Sequence, residues 1–275
     1  MLRELAYAKV NLVLHVGPRT DNGLHEVCSL FASIDLADEV DVVRLEAGED
    51  RVICPSVPGE NLAERALVTF REGVRAELPP LEVTIHKHIP VAAGLGGGSA
   101  DAAAVLRAAN ELAGRPLTSG ELAALAAPLG SDVPSQVDPG HALVSGTGER
   151  VERVRLPQLT LVLVPQEQGL ATAKVFAELD RLGGGRATLD PGALRELAAG
   201  PPQQLLRAME NDLQPAAMSL RQELGAVIDE LRAAGAVAAL LSGSGPTCFG
   251  VFADLGAAQL ACSRIEGSRV AVTRS

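Results

Sequence analysis

The sequence predicts an α+β sandwich in two parts, and three observations carry that expectation. Short runs of alternating apolar residues recur along the chain and read as strands. Stretches of helical spacing, bounded by caps and by glycine or proline stops, fall among them. After about residue 152 the pattern restarts, which places a boundary between residues 1–152 and 153–275 in a chain long enough for two modest domains.

Taken in order, residues 6–16 form the first strand, with Ala8, Val10, Leu12 and Leu14 on one face and Tyr7, Lys9, Asn11, Val13 and His15 on the other. A lysine and an asparagine there fit either a wet cleft or an ordinary solvent-exposed face. Gly17 to His25 is a loop, tightest at Asp21-Asn22-Gly23. Apolar segments at 30–36 and 39–45 read as two further strands of an antiparallel sheet. Asn61 caps a helix. Residues 81–89 are a strand, and residues 102–112 a helix with Val105, Ala109 and Leu112 on one face and Gly114 and Pro116 behind it. Thr118-Ser119-Gly120-Glu121 has the form of a capping box, and the helix it opens stops at Pro128. Gly130-Ser131-Asp132-Val133-Pro134 is a loop carrying a lone carboxylate, and residues 140–149 read as a strand and turn. The second half offers a strand at 159–164, a helix at 172–182 and a polar stretch at 183–202 expected to be mobile. Helices follow around Leu205, at 220–233 and at 255–265, with strands at 236–241, 248–252 and 269–273.

Composition excludes several classes. No apolar run reaches membrane-spanning length, so a soluble protein without membrane partners is expected. The opening residues show no basic stretch followed by an apolar core, so neither a signal nor a transit peptide is expected. Four scattered cysteines suit reduced thiols in the cytoplasm. A net charge of −10 argues against a general nucleic-acid binder, though not against a small phosphorylated substrate.

One stretch stands apart: Pro90-Val91-Ala92-Ala93-Gly94-Leu95-Gly96-Gly97-Gly98-Ser99-Ala100-Asp101 joins a strand to a helix N-terminus. Glycines let a ligand approach the backbone, and the helix start offers free N–H groups and the positive end of its dipole. A phosphate chain is the natural guest. The stretch is not a Walker loop, because no lysine lies between Lys87 and Lys174, and it matches the dinucleotide fingerprint only in part, with Ser99 where the third glycine belongs. A flexible glycine linker would not be framed so tightly. Other residues have plain structural readings when taken singly. Asp132 reads as a turn or helix-terminus residue, Lys87 as a solvated strand lysine and Phe176 as core. His86 and His88 read as structural, and residues 242–247 as a hairpin connection.

Together the motifs point further. Ala8-Lys9-Val10-Asn11-Leu12, the stretch from Pro90 to Asp101, and Ser242-Gly243-Ser244-Gly245-Pro246-Thr247 resemble the three motifs of the GHMP small-molecule kinases. Asn22-Gly23-Leu24-His25, Gly130-Ser131-Asp132-Val133-Pro134 and Asn211-Asp212-Leu213 are similar to the branch that phosphorylates a cytidyl diphosphate sugar alcohol. The resemblance runs nearly end to end. It implies an N-terminal ribosomal-protein-like α/β sandwich, a C-terminal ferredoxin-like domain, and transfer of a phosphoryl group from ATP, carried with Mg2+, to an alcohol.

By resemblance, Lys9 and Asp132 are the catalytic pair, the aspartate orienting the hydroxyl and accepting its proton. Residues Pro90 to Ala100 wrap the triphosphate, and Asn61 and Lys87 match positions beside the adenosine. Asn11, His25 and Phe176 match groups on the substrate side, Phe176 stacking on the base. Ser99 and Asp101 are candidate magnesium contacts. Two departures from the family pattern are Leu24, where a tyrosine is usual, and Ser135-Gln136, where bulky apolar residues are usual. The first implies weaker grip on cytidine; the second bears on local packing. A monomer or homodimer in the cytoplasm is expected. The alternatives are another GHMP kinase of the homoserine or mevalonate type, a silent nucleotide- and sugar-binding member of the fold, or a nicotinamide dehydrogenase, which the incomplete fingerprint disfavours.

Overall fold

Two long runs of aliphatic and β-branched residues make strands of 18 and 20 residues at the start of the chain, well beyond the common strand length of about 5–6. The computed structural model describes residues 1–21, 23–57, 59–75 and 77–274. In chain order these hold β1 (Leu2–Arg19), β2 (His25–Arg44), β3 (Arg51–Ile53), α1 (Leu62–Gly73), β4 (Leu81–His86), α2 (Gly97–Leu112), α3 (Ser119–Ala126), α4 (Val133–Gln136), β5 (Ala142–Gly146) and β6 (Arg150–Arg153). There follow β7 (Thr160–Val164), α5 (Thr172–Arg181), α6 (Pro191–Ala199), α7 (Pro202–Ala208), β8 (Glu210–Asn211), α8 (Gln214–Leu220), α9 (Glu223–Ala233), β9 (Ala238–Leu241), β10 (Cys248–Phe252), α10 (Leu255–Cys262) and β11 (Arg269–Val272). Among the described residues no helix is long and apolar enough to cross a membrane.

The chain divides into two compact units that interleave in sequence: residues 1–8, 36–91 and 96–139 form the first, and residues 9–35, 92–95 and 140–275 the second. A cut at residue 152 does not describe this division, because β1 and β2 each begin in one unit and end in the other.

In the first unit the end of β2 pairs antiparallel with β4, from Glu39 opposite His86 to Arg44 opposite Leu81, and β3 adds in parallel to β4. Val40, Val42, Leu81, Val83 and Ile85 share a core with Leu67 and Phe70 of α1 and the alanine face of α2. Small side chains on α2 let that helix sit close to its neighbours. The local signals act as expected. The Asn61 side chain caps α1 by accepting from Ala63 N–H, and Thr118 with Glu121 forms a complete capping box for α3.

In the second unit β2 pairs antiparallel with β5 and β5 with β6, while β8 lies parallel to β1 at Val13 and Leu14. A separate four-stranded sheet runs β11-β7-β10-β9, every pair antiparallel. Helices lie between its first and second strands in sequence and between its third and fourth, which is the ferredoxin-like arrangement.

Several elements differ from expectation: α4 begins inside the expected loop at 130–134, the strand expected at 81–89 ends at His86, and β3, β6, β8 and α8 are additional. The segments at 30–36 and 39–45 are one strand, whose acidic residues are satisfied: Asp35 Oδ1 accepts from Val272 N–H at 2.9 Å, and Asp38 finds partners described below. The helix after the glycine stretch begins at Gly97, five residues before Ala102, so two glycines belong to its first turn. The stretch at 183–202 contains α6, whose N-terminus is capped by the Asp190 side chain. Asn22, at the tight point of the expected loop, lies outside the described residues.

Candidate active site

The approach to the glycine stretch is tied down from inside the first unit. Asp38, on β2, is wholly buried and accepts from the backbone N–H groups of His88 and Ile89. Its other oxygen meets the Lys87 ammonium, which also lies 2.6 Å from Asp101 Oδ2. Lys87 is therefore no solvated strand lysine; its side chain is 7% exposed. Burial lowers its affinity for the proton, but the two carboxylates outweigh that and hold its pKa above the ordinary lysine value. Two acids sharing one ammonium leave a surplus negative charge. Burial pushes the Asp101 carboxyl up to about 7, with Lys87 pulling it down and Asp38 adding to the rise. Asp101 Oδ1 is buried without a hydrogen-bond partner.

The glycines divide their work by direction. Gly96, at φ +72°, precedes α2, and the first intrahelical bond runs from Ala100 N–H to Gly96 O at 2.9 Å. The N–H groups of Gly97, Gly98 and Ser99 come before that bond, and no acidic residue lies in the first turn to neutralise the helix end. A Cβ on Gly97 would stand 2.9 Å from Ile89 Cγ2 and 3.3 Å from Lys87 Nζ, whereas one on Gly98 would meet nothing within 4 Å. Gly97 thus backs onto the buried lysine and Gly98 faces open space. Pro90 is half-buried, and Val91 is exposed.

Asp132 occupies the residue before α4 with helical backbone angles, and its side chain makes no capping bond. Its carbonyl accepts from Ser135 Oγ at 2.8 Å, and the Gln136 carbonyl accepts from Arg107 Nη1 at 2.8 Å. Both Ser135 and Gln136 are buried. Hydrogen bonds from the Ser135 side chain and to the Gln136 backbone close the turn around these two buried polar residues.

In the second unit Lys9 and Asn11 are buried, so the second face of β1 is no solvent-exposed face. Lys9 Nζ donates to Asn11 Oδ1 at 2.8 Å and lies 4.5 Å from the centre of the Phe31 ring. Asn11 Nδ2 donates to Ser29 Oγ at 2.9 Å, which donates to Val13 O at 2.6 Å. Residues 92–95 meet the same strand, Lys9 N–H donating to Leu95 O at 3.0 Å. The turn Ser242–Thr247 joins β9 to β10 as a hairpin connection and also docks on the glycine segment. Thr247 N–H donates to Ala93 O at 3.1 Å, and Ser242 Oγ to Gly94 O at 3.0 Å. Gly94 has φ +76°, and a Cβ there would stand 2.5 Å from Ser242 O and 2.7 Å from Gly245 O. Ala92, at φ +53°, holds a left-handed conformation that costs a non-glycine residue energy.

Also in this unit, the His25 and Phe176 rings stack with centroids 5.3 Å apart and planes at 28°. His25 Nδ1 lies 3.0 Å from Gly17 O. Its Nε2 is 3.1 Å from Asp180 Oδ1, close enough for a charge contact, but the direction does not suit a hydrogen bond, and Nε2 is buried without one. Leu24 is exposed.

Within single units, then, Lys9 meets Leu95 and Asn11, His25 meets Phe176, and Lys87 meets Asp101 and lies behind Gly97. Asn61 is committed to capping α1. Among the described residues no group of three or more His, Cys, Asp or Glu could hold a metal ion. Sequence reasoning missed Asp38, Ser29 and Asp180. A carboxylate between Leu36 and Val40 was the one available signal for Asp38.

The first unit thus carries a glycine-lined helix start, and the second a glycine turn near a strand lysine. Residues 61–140 match the GHMP kinases N terminal domain and residues 193–269 the GHMP kinases C terminal family. The chain belongs to the GHMP kinases, ATP-dependent enzymes acting on small molecules. It is similar to the 4-diphosphocytidyl-2-C-methyl-D-erythritol kinase of Mycolicibacterium smegmatis, at 42% identity over 96% of this chain and 86% of that one. A solved 4-(cytidine 5'-diphospho)-2C-methyl-D-erythritol kinase matches over 100% of both chains with a TM-score of 0.82 and 33% identity. A homoserine kinase from Cytophaga hutchinsonii shares the fold, with a TM-score of 0.70 over 98% of this chain and 94% of that one, at 19% identity.

Proposed function

We propose that this chain transfers the γ-phosphoryl group of ATP to the 2-hydroxyl of 4-diphosphocytidyl-2-C-methyl-D-erythritol, a step in non-mevalonate synthesis of isoprenoid precursors. The carrying observation is that Lys9, bonded to Asn11, meets Leu95 of the glycine segment 92–95, on which the turn 242–247 docks, in the same unit as the His25–Phe176 ring pair. A phosphoryl-transfer apparatus and a platform for a base are what a cytidyl alcohol requires. The relatives at above 40% identity carry the same activity in their names.

In this reading residues 90–100 hold the triphosphate through backbone N–H groups, chiefly those of Gly97, Gly98 and Ser99. Asn61 and Lys87 belong to the nucleotide side, Lys87 supporting Gly97 from within. The Asp132 carboxylate takes the proton of the 2-hydroxyl as its oxygen bonds to the γ-phosphorus and ADP departs. The Lys9 ammonium offsets charge on the transferring group, and Asn11 fixes the direction of that ammonium. The base lies against Phe176, with His25 Nε2 as a polar partner. Two rings 5.3 Å apart leave no slot for a third between them, since stacked centroids already stand about 4.5–7 Å apart. Magnesium, bound to the nucleotide, would neutralise the β- and γ-phosphates. With no cluster among the described residues to hold it alone, Ser99 is the side chain we assign beside it, while Asp101 is engaged by Lys87. The four free cysteines fit work in the cytoplasm, as a monomer or homodimer.

The test presents purified protein and ATP with the cytidyl alcohol, homoserine and mevalonate in parallel, following ADP release and the phosphorus spectrum of the product. ADP release with the cytidyl alcohol alone, and a new 2-phosphate, is expected. Preference for either other alcohol, or nucleotide binding without ADP release, would overturn the reading.

A further inference from the structure

The run Asn211-Asp212-Leu213 takes no part in the chemistry above, yet two of its side chains reach in different directions toward both ends of the proposed substrate site. β8 hangs on β1, with Leu14 opposite Asn211 and Asp212 N–H donating to Leu14 O at 2.9 Å. The pair is therefore mounted on the strand that carries Lys9 and Asn11.

Asn211 is buried and grips the second glycine turn. Its Nδ2 donates to Leu241 O and to Gly243 O, both at 2.8 Å, and its Oδ1 accepts from Leu213 N–H at 2.9 Å. Gly243 lies close to Lys9 and Asn11. A Cβ on it would stand 3.6 Å from Lys9 Nζ and 3.4 Å from Asn11 Oδ1. Fixing the Gly243 carbonyl fixes the backbone that bounds the lysine.

Asp212 turns toward the end of β1. Its Oδ2 accepts from Val16 N–H at 2.9 Å and from Arg186 Nε at 2.7 Å, and its Oδ1 from Arg186 Nη2 at 2.9 Å. Arg186 N–H donates in turn to Val16 O at 2.7 Å. Val16 is thus held by both of its backbone groups. The next carbonyl, Gly17 O, is the partner of His25 Nδ1. Burial pushes the Asp212 carboxyl up, but Arg186 and the Val16 N–H more than reverse this, so it stays ionised. Arg186 also meets Glu210 at 2.8 Å, and Glu210 meets His15 Nε2 at 2.8 Å.

We infer that Asn211 and Asp212 are adjacent positioning residues with separate duties: Asn211 sets the turn against Lys9 for phosphoryl transfer, and Asp212, through Arg186 and Val16, sets the His25 ring for the nucleobase. The inference rests on the roles given to Lys9 and His25 above.

Steady-state kinetics of Asn211→Ser and Asp212→Asn, with a nitrogen-15 spectrum of the His25 imidazole, test it. Asp212→Asn raises KM for the cytidyl alcohol roughly tenfold with kcat and KM for ATP within about threefold, the loss expected for one misplaced hydrogen-bonding group. Asn211→Ser lowers kcat roughly tenfold or more and leaves KM for the cytidyl alcohol within about threefold. The His25 signal moves in Asp212→Asn and stays in Asn211→Ser. Arg186→Gln reads the same contact from a more exposed side chain, should Asp212→Asn fail to fold, and Arg186→Lys restores part of the affinity. Turnover absent from the parent protein defeats the substrate assignment, and the His25 signal still decides the inference. Both variants shifting the same constants, or an unmoved His25 signal in folded Asp212→Asn and Arg186→Gln, overturns it.

Discussion

Replacing Lys87 with methionine keeps the length of the side chain and removes its charge. The Asp38 side chain is 0% exposed and that of Asp101 3%, so neither carboxylate recovers water when the ammonium goes. Removing one partner of a buried ion pair costs about 3–5 kcal/mol. Here two acids lose the same counter-charge, so Lys87→Met is expected to cost at least about 3 kcal/mol near pH 8. The sign of the pH dependence follows from Asp101, whose carboxyl in the folded protein sits at about 7 against an ordinary 3.8. Its stabilising protonated form is fully present below 3.8 and is lost as pH rises through about 7. Without Lys87 the Asp101 carboxyl loses the charge that pulls it down and holds its proton more tightly, so the loss extends to higher pH. The deficit of the variant is therefore larger at about pH 8 than at about pH 6. Urea denaturation of parent and variant at both values measures it. A deficit under about 1 kcal/mol near pH 8, or one that grows on acidification, would falsify the placement of this lysine between two buried acids.

The other predictions concern the glycines and the base. Gly94→Ala combines a positive φ with a Cβ set against two carbonyl oxygens that cannot swing aside; a loss of about 2–5 kcal/mol in thermal unfolding is expected, and a change under about 0.5 kcal/mol would show that the turn 242–247 does not lie there. Gly98→Ala leaves the melting temperature close to the parent while weakening ATP binding, because its Cβ meets only open space. Gly97→Val does the reverse of a surface change: its branches press on Ile89 and Lys87, so stability falls first, by about 1–3 kcal/mol in the same melt. Asp132→Asn lowers kcat by about 10²–10⁴ and leaves nucleotide affinity intact by calorimetric titration; normal turnover would remove Asp132 from the role of base.

Local chemistry was readable from the sequence, and distant chemistry was not. The capping box at Thr118 and the Asn61 cap needed only residues within one helical turn, and both stand as read. Alternation located the strands of the second half and the resemblance to the GHMP kinases implied their ferredoxin-like arrangement, although the compact units cut the chain elsewhere than residue 152. Asp38 could not be foreseen, because its meaning lies in Lys87, 49 residues away, and in two backbone amides that face it only after β2 and β4 pair. The same holds for Lys87, whose plain reading was a solvated strand lysine and whose partners put it inside. Glycines 97 and 98 looked alike on paper. Their backbone positions in the first turn of α2 point one inward and the other outward.

The interleaving of the chain has a bearing on synthesis. Everything the first unit needs has been made by residue 139, so it can close while the ribosome is still working. Residues 9–35 emerge among the earliest, yet their partners β5 and β8 are translated more than a hundred residues later. The segment that bears Lys9, Asn11 and His25 can pair β1 with β2 but must wait for its outer partners, and in that interval a holding chaperone has most to do.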